Sequence, residues 1–334
     1  PPSVADQLGL QRISALQPHM HPCCRASAWI LIALAADPAA ALAASPRKGK
    51  ATRPSGFGAA ASKQTSLDAA AKRLLKEAGG DVDAAQEKSF QNAMRALSRS
   101  EPELFEALME AKGGLPTGAA HAKLVELFWD AVAAYIPARQ RSVGESGMSA
   151  KARRQIDAIA GCAASAGPAV LDVGCGDGAL LPHLLRAGAD AGRYLGIDLS
   201  ARMVAAAAAA HPAATFRRAD FLELDPSGEY DCCLLNGASQ FFADQSCLVG
   251  AAAAAVRSGG RVVIAHAQGA AFVAGEHRGN PAVARSCLPT PALLESLAEE
   301  HGLQVLPAEE CAPGRTPPHT LEGHDFYLVA LRKK

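Results

Sequence analysis

The stretch Leu171-Asp172-Val173-Gly174-Cys175-Gly176-Asp177-Gly178 decides the fold. The apolar run Ala169-Val170-Leu171-Asp172-Val173 reads as a buried strand, three glycines follow at alternate positions, and a helix is expected from about Ala179. Glycine lets the backbone turn sharply and approach a ligand within contact distance, and a helix start offers unpaired N–H groups. The stretch is therefore a nucleotide-cofactor turn at the tip of a strand. Six further short runs extend the pattern: Tyr194 to Asp198, Thr215 to Ala219, Tyr230 to Asn236, Arg261 to His266, Leu303 to Leu306 and Asp325 to Leu331. Strand alternating with helix implies right-handed crossovers and a mostly parallel sheet covered on both faces. The last two runs are joined through Ala312-Pro313-Gly314-Arg315-Thr316-Pro317-Pro318-His319, too short for a crossover helix, so the final strand is expected to be antiparallel.

Upstream of the sheet the pattern is helical. Helices are expected over Leu67 to Ala78, Ala84 to Ser98, Glu101 to Lys112, Ala120 to Ile136 and Ser149 to Ala164. In the fourth, Leu124, Leu127, Phe128, Ala131 and Tyr135 recur at helical spacing and read as core. The expected organisation is a leader over residues 1–66, a helical region over 67–148 that lids a substrate pocket, and a cofactor-binding α/β domain over 149–334. The 334 residues carry 33 basic and 33 acidic side chains, and seven of the basic but only two of the acidic ones lie in residues 1–66. The remaining 26 against 31 leaves the body near −5, which argues against a surface that grips nucleic acid chiefly through phosphates.

Which cofactor the turn takes is an electrostatic question. Gly174, Gly176 and Ala179 also satisfy a relaxed dinucleotide pattern, with Asp198 placed to hold ribose hydroxyls. Asp172 at the strand tip and Asp177 inside the turn discriminate. A carboxylate ~5 Å from a pyrophosphate costs on the order of 3 kcal/mol at an effective dielectric near ~20, whereas beside an ammonium and a sulfonium it gains. S-adenosylmethionine is favoured over NAD.

On these residues the segment from Ala169 to the end resembles the class I S-adenosylmethionine-dependent methyltransferases, a Rossmann-like fold with an antiparallel last strand. The resemblance implies that Asp172, Gly174, Cys175, Gly176 and Gly178 form the first cofactor motif, with the glycines lining the methionine and ribose part. It implies that Asp198 accepts the ribose hydroxyls, Leu199 packs beside adenine, the acid of Asp220-Phe221 receives the adenine amino group, and Asn236-Gly237 lies beside the methyl donor. Ser258-Gly259-Gly260 stands where the family usually has Pro-Gly-Gly before the fifth strand. Cys175 reads as a small packing residue rather than a nucleophile, since nothing nearby in sequence offers a base.

Methyl transfer needs alignment and exclusion of water, with a base only where the acceptor must lose a proton. His266, at the end of the fifth strand, is the first candidate base, its alternative being a histidine hydrogen-bonded for structure. Arg315, His319 and His324 lie on the loop reaching the same edge. Trp129, Tyr135, Arg139 and Arg141 are candidate acceptor contacts from the helical region. Asn236-Gly237-Ala238-Ser239 lacks the Pro-Pro-aromatic element of amino-methylating nucleic-acid enzymes, and the body lacks a Pro-Cys nucleophile. A small organic acceptor is the leading class, with a protein or RNA methyltransferase and a non-catalytic cofactor-binding assembly factor as alternatives.

Reading from Met20 as a candidate start, Arg25, the apolar run Trp29 to Ala36 and small residues at Ala41-Leu42-Ala43-Ala44 form the layout of a secretory signal. The basic, hydroxyl-bearing Ser45 to Gly58 then resembles a transit peptide, and the pair resembles the bipartite plastid address of algae with complex plastids. The alternatives are an Ala-rich leader without meaning and a cytoplasmic or mitochondrial place. Seven cysteines lie beyond the leader, an odd number without Cys-x-x-Cys spacing, so neither a disulfide framework nor a metal site is expected, in keeping with a reducing compartment. No apolar run approaches the ~20 residues of a membrane helix, so no integral membrane segment is expected.

Overall fold

The computed structural model describes residues 69–110, 115–136, 149–225, 228–311 and 325–334. Among the described residues, the chain opens with helices α1 (69–77), α2 (Val82–Ser100), α3 (Pro102–Glu110), α4 (Gly118–Ala133) and α5 (Ala150–Ala164). Asp81 caps α2 by accepting from Asp83 N and Ala84 N, and Pro102 takes the first position of α3, where a missing N–H costs nothing. The leader, Arg139, Arg141, Arg315, His319 and His324 lie outside the described residues.

The strands are β1 (Val170–Val173), β2 (Tyr194–Asp198), β3 (Thr215–Arg218), β4 (Tyr230–Asn236), β5 (Val256–His266), β6 (Leu303–Val305) and β7 (Tyr327–Lys333). Between them run α6 (Leu181–Ala187), α7 (Ala201–Ala210), α8 (Gln245–Ala255), α9 (Gly269–Gly279), α10 (Pro291–Glu300) and the short α11 (Ala308–Cys311). The order is β3-β2-β1-β4-β5-β7-β6. Strands β1 to β5 are parallel, and β7 is antiparallel to both β5 and β6. The expected α/β sheet is therefore the observed one.

Strand β5 departs from expectation by starting at Val256 instead of Arg261. Val256 pairs with Tyr230, the register shifts before Cys232, and Gly259 adopts φ 75°. Ser258-Gly259-Gly260 is thus an irregularity inside the strand and not a turn ahead of it.

Strand alternation divides the core. Leu171, Val173, Cys233 and Leu235 face one apolar layer with α8 and α10, while Val170, Cys232 and Leu234 face the other with α5 and α6. A third cluster joins α2, α3 and α4 and includes Leu124, Phe128 and Ala131, with Leu199 and Phe241 of the α/β domain packed against it. The helical region and the sheet domain thus share apolar contacts. No helix among the described residues is long and apolar enough to cross a membrane.

Asp231, 3% exposed, ties the start of β4 to β1: its carboxylate accepts from Ala169 N at 2.8 Å and from Arg257 Nε at 2.5 Å. Asp231→Ala strands a buried N–H and is expected to cost about 2 kcal/mol in denaturant unfolding, while Asp231→Asn, which keeps an acceptor, costs less. Equal losses in the two variants would contradict this role.

Candidate functional site

The sheet order reverses between β1 and β4, and an open α/β sheet holds ligands over the carboxyl ends at such a point. A cavity of about 590 Å³ lies there. Its wall contains Gly174 and Gly176 of the turn, Asp198 and Leu199 after β2, Asp220 and Phe221 after β3, and Asn236 and Gly237 at the end of β4. Seven residues to which the resemblance gave cofactor contacts, spread over more than sixty positions in sequence, are thus gathered on one surface, together with Gly237.

Two main-chain positions explain why the turn is glycine. Gly174 has φ 71°, and a Cβ there would lie 2.7 Å from the Cβ of Ala238. Gly176 has φ 56° and would meet nothing within 4 Å, so on the cavity side it leaves room for a ligand to approach the backbone. The turn is clamped against β2: Ile197 O accepts from Gly174 N at 2.8 Å and from Cys175 N at 3.0 Å. Asp198 completes the clamp, one carboxylate oxygen accepting from Gly176 N at 3.0 Å and the other from Ser200 N at 2.8 Å. Burial pushes the Asp198 carboxyl above its ordinary value, against the pull of these two N–H groups. Asp220 accepts from Leu222 N at 3.0 Å and caps the turn that carries Phe221 into the wall.

Four expected contacts lie outside the wall. Asp172 is not in the wall: it is 2% exposed, on the Val170 face of β1, and accepts from Tyr194 Oη at 2.9 Å. Cys175 turns its sulfur inward, where a Cβ on Gly196 would lie 2.9 Å from it, and burial pushes its thiol far above the ordinary range. Tyr135 is a core residue, 2% exposed with its hydroxyl donating to Ala85 O. Gly178 serves packing, since a Cβ there would stand 2.9 Å from the His211 ring.

His266 is also placed outside the wall. Its ring stacks on Phe272 and is 6% exposed, and its Nδ1 accepts from Gln268 N at 3.2 Å. Burial holds it at about 4, so at neutral pH the ring is neutral and its one proton is on Nε2, the atom facing Gly237. A neutral ring whose Nδ1 already accepts from Gln268 N is a weak base.

Sequence reasoning missed part of the wall. Gly118, Ala122, Val125 and Trp129 of α4 recur at helical spacing beside the core stripe and face the cavity, as do Phe241 and Phe242. Trp129 was expected as a contact; the others gave no signal, because alanine and valine fit a core face equally well. The wall's charged residues are Asp198, Asp220, Glu223 and Asp244, with no Lys or Arg among its described residues. Its one histidine, His121, is held below its ordinary value by burial.

Residues 170–260 match a family model described as a methyltransferase domain. The enzyme is an S-adenosylmethionine-dependent methyltransferase. The site fits that cofactor: Gly176 opens the backbone, Asp198 and Asp220 offer carboxylates, and a largely apolar wall whose charged residues, among those described, are all acidic suits a cation and disfavours a pyrophosphate. Among solved structures, similar ones include magnesium protoporphyrin IX methyltransferase from Synechocystis PCC 6803 with bound SAH, at 17% identity and TM-score 0.45, covering 64% of this chain and 99% of that one. A TehB-like SAM-dependent methyltransferase from Corynebacterium glutamicum is similar at 21% identity and TM-score 0.42, covering 61% and 99%. A SAM-dependent methyltransferase from Mesorhizobium loti follows at 21% identity and TM-score 0.37, covering 49% and 90%. No curated protein matches this chain.

The buried Asp172 carboxyl, pushed up to about 7 by burial, makes stability depend on pH. The unfolded chain releases this proton near ~4 and the folded chain near 7, so stability is fullest below ~4 and falls as pH rises toward 7. Asp172→Asn is expected to flatten that slope in melting curves run from pH 5 to pH 8. An unchanged slope would show that Asp172 is ionised throughout.

Proposed function

We propose that the enzyme methylates a small organic acceptor. The observation that supports this is the wall around the end of β4: Asn236 and Gly237 share the cavity with Phe241, Phe242 and Trp129, and Trp129 meets Phe241 edge-on at 5.5 Å. Aromatic side chains on two sides of the reacting end suit a compact, partly apolar acceptor inserted between them.

When bound, S-adenosylmethionine supplies an electrophilic methyl group on a positively charged sulfur. The chain's residues do the rest. Gly174 and Gly176 admit the backbone to close contact, Asp198 and Asp220 fix the two ends of the adenosine part, and Asn236 and Gly237 set the floor on which the acceptor is aligned. Alignment of this kind contributes on the order of ~7–11 kcal/mol to a two-substrate reaction. The aromatic wall keeps water from the reacting atoms. His266, stacked on Phe272 outside the wall, supports the end of β4 from behind. The leader places the enzyme in a plastid on the same proposal.

Incubation of the purified enzyme with methyl-labelled S-adenosylmethionine and a plastid extract tests the acceptor class. A labelled small soluble product is expected, and Asp198→Ala abolishes it. A labelled protein or RNA band, or cofactor binding with no transfer at all, would overturn the small-acceptor proposal.

A further inference from the structure

The helical region was expected to cover the acceptor. Trp129 of α4 does meet Phe241 near the end of β4, but the polar ties of the helix run to the other side of the cavity. Helix α4 contributes Gly118, Ala119, His121, Ala122, Val125 and Trp129 to the cavity, which Leu199, Asp220, Phe221 and Leu222 also line; Leu199 packs against the apolar cluster of α4, and the charge of Asp220 is felt at His121. Leu199, Asp220, Phe221 and Leu222 are the residues after β2 and β3 that flank the adenine place, whereas the methyl end lies at Asn236 and Gly237.

The same helix is fastened to the ribose acid. Ser200 N donates to Asp198 Oδ1 at 2.8 Å, and Ser200 Oγ donates to Asp130 of α4 at 2.5 Å. Asp130 Oδ1 also accepts from Arg202 N at 3.2 Å, and Ser200 Oγ accepts from Met203 N at 3.1 Å as the cap of α7. One serine therefore joins the carboxylate of α4 to the carboxylate that faces the cavity. Beside it, Arg218 pairs with Glu126 of α4 at 2.7 Å while its Nε donates to Leu199 O at 3.2 Å. Near the other end of the helix, His121 Nε2 meets Val283 O at 3.3 Å and Arg285 donates to Pro116 O at 2.5 Å. The hydrogen bonds and ion pair just named from α4 to β2, β3 and the links that follow them fall on Ser200, Arg202 and Arg218.

We propose that α4 is the cofactor's own cover: it forms the adenosine-side wall, and Asp130, acting through Ser200, positions Asp198 for the ribose hydroxyls. Docking of the helical region and binding of the cofactor then stabilise each other by linkage, because the cofactor fits the wall only when α4 is seated. Asp130 is a positioning residue and touches no ligand. The proposal rests on the cofactor assignment above.

The test uses the full chain and S-adenosylhomocysteine, whose adenosine part is that of the cofactor. Hydrogen exchange with and without saturating S-adenosylhomocysteine should show slowed exchange across 118–133. With Trp29→Phe leaving Trp129 as the single indole, binding should change the Trp129 emission. Calorimetry should find Asp130→Ala weakened about tenfold, the scale of one charge-assisted hydrogen bond, with Asp130→Asn, which retains an accepting oxygen, largely restored. A merely structural Asp130 would lower the melting temperature and leave the affinity of the folded fraction unchanged. Binding with unaltered exchange in 118–133 and unaltered emission would overturn the proposal even if Asp130→Ala failed to fold. Absence of any S-adenosylhomocysteine binding would overturn the cofactor assignment itself, and the proposal with it.

Discussion

Everything at the site depends on the glycine turn being held against the end of β2. A turn with positive φ at Gly174, Gly176 and Gly178 has little conformational preference of its own, and its shape is imposed by two N–H groups converging on Ile197 O and a third on Asp198. The clamp has a second effect. By using one oxygen for Gly176 and the other for Ser200, Asp198 is fixed in orientation while still lining the cavity, so the residue that shapes the turn is also the one offered to the ribose. Pre-organisation of this kind removes the need to order the loop at the moment of binding.

Charge sets the selectivity that shape leaves open. The wall carries four carboxylates and no described Lys or Arg, and Asp172 stands behind the turn. The electrostatic preference inferred from Asp172 and Asp177 therefore holds for a different reason than expected: the discriminating carboxylates are mainly Asp198, Asp220, Glu223 and Asp244. Asp172, hydrogen-bonded by Tyr194 and pushed up to about 7, contributes a charge only when ionised.

The sheet was legible in the sequence because its seven runs are short, apolar and separated by helices, and because the link before the last run is too short to cross over. The residues that end strands were legible for the same reason: Asp198, Asp220 and Asn236 each follow a run whose carboxyl end must face the crevice. Side-chain direction within a run was not. Asp172 and Cys175 sit in the motif, yet pleat and turn geometry aim them at Tyr194 and Gly196. The cavity face of α4 was hidden as well, since Gly118, Ala122 and Val125 look like any small apolar residues until the partner surface is known. His266 shows the remaining gap: sequence places it at the right strand end, but only the Gln268 N–H fixes which ring nitrogen carries the proton.

The central claim is that this acidic crevice is built for a cationic sulfonium and not for a pyrophosphate. Calorimetric titration of the purified chain with S-adenosylmethionine, and separately with NAD under the same conditions, tests it most directly. Saturable heat with the former and none with the latter is the predicted result. Saturable binding of NAD by a chain indifferent to S-adenosylmethionine would contradict it.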